Sequence, residues 1–142
     1  MNHKGLSLLE ILVVILIVGI LAGIAVPVYT NYMVRARRAD AKTVLEQVRA
    51  AQEMWRAERG SYATDGGASA EVRLQNTMGA PVTTVGDYTW AFTVKTATAF
   101  TARATPSTAR QASDGWLSID NNGVKTDSNG YTYPDPRCKW SK

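Results

Sequence analysis

The chain is poor in the residue types that build catalytic and metal sites in small proteins. Its 142 residues include one cysteine, Cys138, and one histidine, His3. A single cysteine excludes an internal disulfide. Beyond His3 the chain has no imidazole, which excludes Ser-His-Asp catalysis, Cys-His catalysis and a His-ligated zinc site in that part of it. Phosphate-binding loops, nucleophile elbows and paired-cysteine motifs are also missing, so we expect no catalytic residues, no cofactor and no enzyme activity.

The charge balance excludes little by itself. Sixteen Lys and Arg residues against twelve Asp and Glu give a formal net charge of +4. This mild excess is not the footprint of a nucleic-acid-binding protein. The length suits one small globular domain together with a membrane segment.

The first residues supply that segment. A short basic leader precedes the apolar run Leu6–Val26, which as an α-helix is about 30 Å long, the thickness of a bilayer's hydrocarbon core. Glu10 is its one charged residue, and a carboxylate at membrane depth usually has a partner or a function. The run alone is compatible with a cleaved signal peptide, whose apolar region is usually shorter, with a plain membrane anchor, or with a more specialised signal.

The residues from Gly5 to Glu10, with the apolar run and Pro27 near its end, resemble the class III signal of type IV prepilins and pseudopilins. The resemblance implies that a prepilin peptidase cuts between Gly5 and Leu6. It implies methylation of the new Leu6 amine, although the usual first residue of the family is Phe. Glu10 would then be an assembly residue that pairs with the N-terminus of a neighbouring subunit; the alternative is a carboxylate that reaches the membrane interface unpaired.

The helix is predicted to continue from Leu6 to Arg59, with Pro27 kinking or locally opening it. An apolar stripe with helical spacing is predicted to face a sheet. The stripe consists of Ala41, Val44, Leu45, Val48, Ala51 and Trp55. Gly60 suits the position after the helix end.

After a connector from Ser61 to Asp87, in which Ala70–Met78 suits a short helix, four short strands follow. They cover Tyr88–Lys95, Ala99–Pro106, Trp116–Asp120 and Val124–Thr126, with Tyr88, Trp90, Phe92 and Val94 on one face of the first and Phe100, Ala102 and Ala104 inward on the second. Asn122-Gly123 predicts a hairpin turn. The pattern therefore predicts the α+β class, with one long N-terminal helix packed on a small antiparallel sheet of about four strands. The resemblance implies that this is the type IV pilin fold.

The C-terminal half resembles PilE-type minor pilins, with one departure. Such pilins close their C-terminal loop with a disulfide, whereas Cys138 has no mate here and Trp116 stands about where a first cysteine is expected. We expect an unpaired thiol, buried or semi-exposed, with an intermolecular disulfide as the alternative.

The resemblance implies three regions and two locations. Residues 1–5 form the cleaved leader, 6–30 the transmembrane and polymerisation helix, and 31–142 the periplasmic or extracellular head. The chain would be a single-pass inner-membrane protein with its N-terminus in the cytoplasm, then part of a surface pilus. Its partners would be other pilin subunits, the prepilin peptidase, the inner-membrane assembly machinery and, before assembly, the membrane.

Two further sets of residues have alternative interpretations. Arg35, Arg37 and Arg38 follow the apolar run and could contact solvent or headgroups, other subunits, or DNA. A DNA-binding surface would need them to lie with Arg103, Arg110, Lys125, Arg137 and Lys139. Asp120, Asn122 and Asp127 alternate as in a calcium loop, but the bidentate glutamate of such loops is missing and turn chemistry explains the same composition. The carboxylates of Asp65, Glu71, Asp87, Asp114 and Asp135 are expected to be solubilising or turn-forming.

The leading hypothesis is a type IV pilin that serves adhesion, twitching motility or DNA uptake, and within it a minor rather than a major subunit. A pseudopilin of a type II secretion system and a DNA-binding uptake pilin are the alternatives.

Overall fold

The computed structural model describes residues 7–141. Helix α1, Leu8–Arg59, is its longest element. It ends as predicted at Gly60, which has a φ of 74° and donates its N–H to the Arg56 carbonyl at 2.8 Å. The predicted start at Leu6 lies outside the described residues. The chain divides into two compact units, with the boundary between Val34 and Arg35.

In the first unit the described residues from Leu8 onward form the N-terminal part of α1, and the apolar side chains from Leu8 to Tyr32 are exposed. The helix is long and apolar enough to cross a membrane, with a mean hydropathy of 3.1 in its most apolar stretch. Pro27 lies inside it without interrupting it. The predicted local opening is therefore not observed, because a proline removes one N–H donor while the neighbouring turns keep theirs.

The second unit contains a five-stranded antiparallel sheet in which each strand pairs with the next along the chain. Its strands are β1 Thr84–Val85, β2 Tyr88–Lys95, β3 Phe100–Pro106, β4 Leu117–Asp120 and β5 Lys125–Asp127. Four of them confirm the prediction. The additional strand β1 fell within the predicted connector, because two residues are too few to show alternation. It reverses into β2 through Gly86, which has a φ of 58°.

The core lies between the sheet and the part of α1 in this unit. All six residues of the predicted helical stripe are buried, as are Phe100, Ala102 and Ala104 on β3. Tyr88, Trp90 and Phe92 are buried on β2, but Val94 is 42% exposed. Its predicted inward orientation is wrong, because the register of β2 shifts between Phe92 and Val94 and a bulge turns the following side chain to the other face.

Helix α2, Ala70–Met78, confirms the predicted short helix and covers the open edge of β2. Its buried Glu71 accepts the Phe92 N–H at 2.9 Å, in the place of a neighbouring strand. The Glu71 carboxylate also lies 3.6 Å from the Lys95 ammonium. An unpaired strand edge would otherwise expose backbone donors to other chains.

The opposite edge of the sheet is covered by the C-terminal segment. Thr132 forms a bridge with Thr126 of β5, and Trp140 donates its indole N–H to the Thr126 carbonyl at 3.2 Å. The Trp140 carbonyl in turn accepts a hydrogen bond from Lys42 of α1 at 3.0 Å. These polar contacts fasten the C-terminal segment to β5 and to α1.

Candidate functional site

The predicted assembly residues lie in the exposed N-terminal part of α1. Glu10 is in the first described turn of that helix, and its side chain is exposed, as are the apolar residues around it. Pro27 is exposed as well. The predicted cleavage and methylation residues, Gly5 and Leu6, lie outside the described part of the chain. A helix that exposes apolar side chains on all sides needs lipid or other helices around it.

The structure separates the basic cluster that follows. Arg35 is exposed. Arg37 places its Nε 2.8 Å from Asp87 Oδ2. Arg38 is 7% exposed, and its Nε donates to Asp114 Oδ2 at 2.9 Å while Nη2 donates to Oδ1. The proposed contact of Arg38 with DNA or a neighbouring subunit is therefore corrected, because its guanidinium is used inside the head.

Asp114 is the centre of a buried polar network. Its Oδ2 also accepts hydrogen bonds from the Tyr88 hydroxyl and from Gln111 Nε2, and its backbone carbonyl accepts one from the Lys139 ammonium. Burial by itself raises the pKa of the Asp114 carboxyl, but the hydrogen bonds from Arg38 and Tyr88 outweigh it, so the pKa lies below its usual value. Burial and the bond to Asp114 raise the pKa of Tyr88.

Asp87 is the second buried carboxylate and has two arginine partners. Besides Arg37, Arg110 reaches Asp87 Oδ1 with its Nε at 3.2 Å and its Nη2 at 3.1 Å. The expectation that these carboxylates only solubilise or form turns is thus wrong for Asp87, Asp114 and Glu71, all of which are buried and bonded. Sequence reasoning missed them because their partners lie far away in the chain.

The remaining cations of the predicted DNA surface have varied partners. Arg103 stacks over the Trp116 ring, 4.3 Å from its centroid. Lys125 pairs with Glu46 at 2.5 Å. Arg137 pairs with Asp135 at 2.8 Å, and its hydrogen bonds lower the pKa of Asp135 to about 2. The eight cations therefore differ in how far their charge is compensated.

The calcium candidates serve as turn-forming acceptors. Asp120 Oδ1 accepts the N–H groups of Asn122 and Val124 at 2.9 and 2.8 Å, which builds the predicted Asn-Gly hairpin between β4 and β5. Asp127 is fully buried and accepts three backbone N–H groups, including that of Lys139 at 2.8 Å. Within residues 7–141 no three acidic, His or Cys side chains converge as metal ligands.

Cys138 is a buried free thiol. An unpaired thiol was the first of the two expectations for this residue. Its Sγ donates to the Tyr131 carbonyl at 3.3 Å, and its relative exposure is 0%. The absence of solvent access argues against the alternative of an intermolecular disulfide.

Comparison with known proteins places this geometry in a family. The model of the family described as "Type IV minor pilin ComP, DNA uptake sequence receptor" matches residues 27–115, and that of the prokaryotic N-terminal methylation motif matches residues 1–26. Similar curated proteins include the type IV major pilin protein PilA of Myxococcus xanthus, 34% identical over 61 residues that cover 43% of this chain and 28% of the relative. The type IV major pilin protein PilE of Neisseria gonorrhoeae is 46% identical over 44 residues, 31% of this chain and 26% of the relative. The aligned part thus spans less than a third of either relative.

Two solved structures share the fold. The Neisseria meningitidis non-core minor pilin PilV has a TM-score of 0.53 at 16% identity, covering 70% of this chain and 90% of the other. A type IV pilin from Shewanella oneidensis has a TM-score of 0.51 at 23% identity, covering 74% and 96%. The fold is that of type IV pilins, as the resemblance predicted. Since the matching model spans more than half of its residues, the chain belongs to the ComP family of type IV minor pilins.

Proposed function

We propose that this chain is a minor subunit of a type IV pilus with a structural and not an enzymatic role. The supporting observation is the exposed apolar part of α1 with Glu10 as its one acidic residue, within a matched methylation motif. Prepilin peptidase cuts between Gly5 and Leu6, and the new amine is methylated. The leader is then 1–5, the polymerisation helix 6–30 and the head 31–142.

Assembly follows from the physical chemistry of that helix. Before assembly the apolar surface lies in the inner membrane, with the N-terminus in the cytoplasm. The helix leaves the bilayer for the surface pilus when other pilin helices, guided by the assembly machinery, replace the lipid around it. Glu10 needs a cation in that apolar surrounding, and the N-terminal amine of a neighbouring subunit supplies it.

Two measurements test the assembly proposal. Mass spectrometry of the mature protein is expected to show the loss of residues 1–5 and the gain of one methyl group; a retained Met1 contradicts it. Glu10→Ala is expected to lower incorporation into sheared pili at least tenfold, whereas Ser7→Ala, a matched change in the same part of the chain, leaves incorporation unchanged. Pili that persist when the gene is deleted would support a minor role.

We further propose that the head contributes to DNA uptake by binding DNA. The family description supports this, as do the two guanidinium groups of Arg37 and Arg110 that Asp87 holds together. Full-length protein in detergent is expected to retard duplex DNA, with an affinity that falls as salt rises, because phosphate contacts release counterions. Absence of retardation at low salt would contradict this function.

A further inference from the structure

The carboxylate of Asp87 holds two arginines from different parts of the chain. Arg37 comes from α1 and binds Oδ2, while Arg110 comes from the connection between β3 and β4 and binds Oδ1. The Asp87 side chain is 7% exposed, whereas those of Arg37 and Arg110 are 24% and 65% exposed. A buried acid therefore fixes two guanidinium groups side by side at the surface.

Two guanidinium groups share the carboxylate of Asp87. The Asp40 carboxylate also lies close to this cluster, because its Oδ2 is 3.6 Å from where a Cβ on Gly86 would be. The neighbouring carboxylate of Asp114 pairs with Arg38, and the Asp114 backbone carbonyl accepts a hydrogen bond from the Lys139 ammonium. The two clusters are adjacent, since Tyr88, next to Asp87 in the chain, donates its hydroxyl proton to Asp114. The cations of both clusters therefore lie in one region of the head.

Arg137 is an arginine of the same domain that has one acidic partner of its own. Its side chain is 68% exposed, close to the 65% of Arg110. It has Asp135 to itself, with Nε and Nη2 donating at 3.1 and 2.8 Å to the two carboxylate oxygens. The two arginines thus match in exposure and differ in how many cations share their acid.

We propose that Asp87 positions Arg37 and Arg110 as a binding site for a phosphodiester group of the DNA backbone; this rests on the proposed DNA-binding function. A phosphodiester group carries one negative charge and two free oxygens, and Asp87 holds two guanidinium groups on its two carboxylate oxygens. Guanidinium groups bind phosphate oxygens through paired N–H donors, more specifically than an ammonium does. Arg37 and Arg110 contact the phosphate, and Asp87 is a positioning residue that fixes the direction of their remaining donors.

The first experiment compares the two matched arginines. The affinity of the full-length protein in detergent for a fluorescent DNA duplex is measured by anisotropy at several salt concentrations. Arg110→Ala is expected to weaken binding about fivefold or more at low salt and to reduce the slope of log K against log salt by about one, as for the loss of one phosphate contact. Arg137→Ala is expected to change the affinity by less than about twofold, because that arginine's charge is already compensated.

The second experiment separates positioning from net charge. Asp87→Asn removes one negative charge and so raises the net charge by one. A surface that attracts DNA only through its net charge would therefore bind DNA more tightly. The proposal predicts weaker binding, because both arginines lose the carboxylate that orients them. Arg110→Lys keeps the charge without the planar donor pair and is expected to bind between the parent and Arg110→Ala. Thermal melting of each variant checks that the head remains folded. If Asp87→Asn does not fold, Arg110→Lys and Arg110→Ala test the proposal.

The outcomes distinguish this site from the function on which it rests. If the parent binds DNA with the expected salt dependence and Arg110→Ala binds equally well, the site is wrong and the function stands. Equal losses in Arg110→Ala and Arg137→Ala also overturn the site, since they indicate nonspecific attraction. A parent that does not bind DNA overturns both. If Arg110→Ala lowers incorporation into pili and leaves DNA affinity unchanged, the pair binds another subunit and the proposal fails.

Discussion

Arg38 and Asp114, 76 positions apart, are joined by two hydrogen bonds that tie helix α1 to the connection before β4. Both residues are buried, at 7% and 4% relative exposure. Removing one partner leaves an uncompensated charge inside the protein. We expect Arg38→Ala to lower the free energy of unfolding by about 3–5 kcal/mol, measured by urea denaturation.

The double variant Arg38→Met with Asp114→Leu checks the cause of that loss. Without either charge, the penalty for an unpaired ion disappears, and much of the stability is expected to return. A double variant that is less stable than Arg38→Ala would contradict this account and would indicate that the wider network with Tyr88 and Gln111 dominates.

The stability of the head is expected to depend on pH through the same network. The pKa of Asp114 is lower in the folded state, so its contribution is present above its unfolded pKa of about 4 and is lost as the pH falls below that value. The raised pKa of Tyr88 acts in the opposite sense, because its contribution is present below about pH 10 and is lost above it. Urea denaturation of the parent and of Asp114→Asn between pH 2 and about 5 should show a flatter profile for the variant. Parallel profiles would contradict the assignment to Asp114.

Gly115 is expected to tolerate no side chain. Its φ is 73°, and a Cβ at this position would overlap Ser128 Oγ and lie 2.7 Å from Ser128 Cβ. Gly130 has a similar φ of 78° but open space around it. Gly130→Ala should therefore cost about 1 kcal/mol from backbone strain alone, and Gly115→Ala about 2–4 kcal/mol in thermal denaturation. Adding Ser128→Gly should recover the part of the cost that comes from the steric overlap. The part that comes from the backbone should remain, because Gly115 combines its positive φ with a ψ of −175°, a region essentially restricted to glycine. A double variant no more stable than Gly115→Ala would contradict the overlap with Ser128.

Glu71 is expected to stabilise the head by accepting the Phe92 N–H at the covered edge of β2. Glu71→Ala leaves that buried donor unsatisfied, at a cost of about 1–3 kcal/mol, whereas Glu71→Gln keeps an acceptor and should cost less. Glu58→Ala is the control, because its side chain is 61% exposed. Equal unfolding midpoints for Glu71→Ala and Glu58→Ala would contradict the capping role.

The sequence predicted the elements whose local pattern is strong. The apolar stripe from Ala41 to Trp55 and the strand alternation at Tyr88, Trp90 and Phe92 each identify a buried face, and the structure confirms them. The exception was Val94, because a bulge changes the alternation without a mark in the side-chain pattern. Gly60 and the Asn-Gly turn were predictable because their backbone geometry depends on one or two residues.

The polar network could not be predicted in the same way. Arginine and aspartate are residue types common at protein surfaces. The sequence neighbours of Arg38, Asp87 and Asp114 do not indicate that these three are buried. Their burial depends on where the β3–β4 connection lies against α1, which brings together residues up to 76 positions apart. The predicted basic cluster therefore separated into Arg35, which is exposed, Arg37, which shares an acid, and Arg38, which is buried.

The burial of Cys138 has a practical consequence for following this protein in living cells. Since it is the single cysteine and has no solvent access, a cysteine introduced at the exposed turn residue Asn129 would be the thiol that a maleimide dye reaches. The native thiol need not be replaced for that purpose. The location of the protein could then be followed by fluorescence, with the interior of the head unaltered.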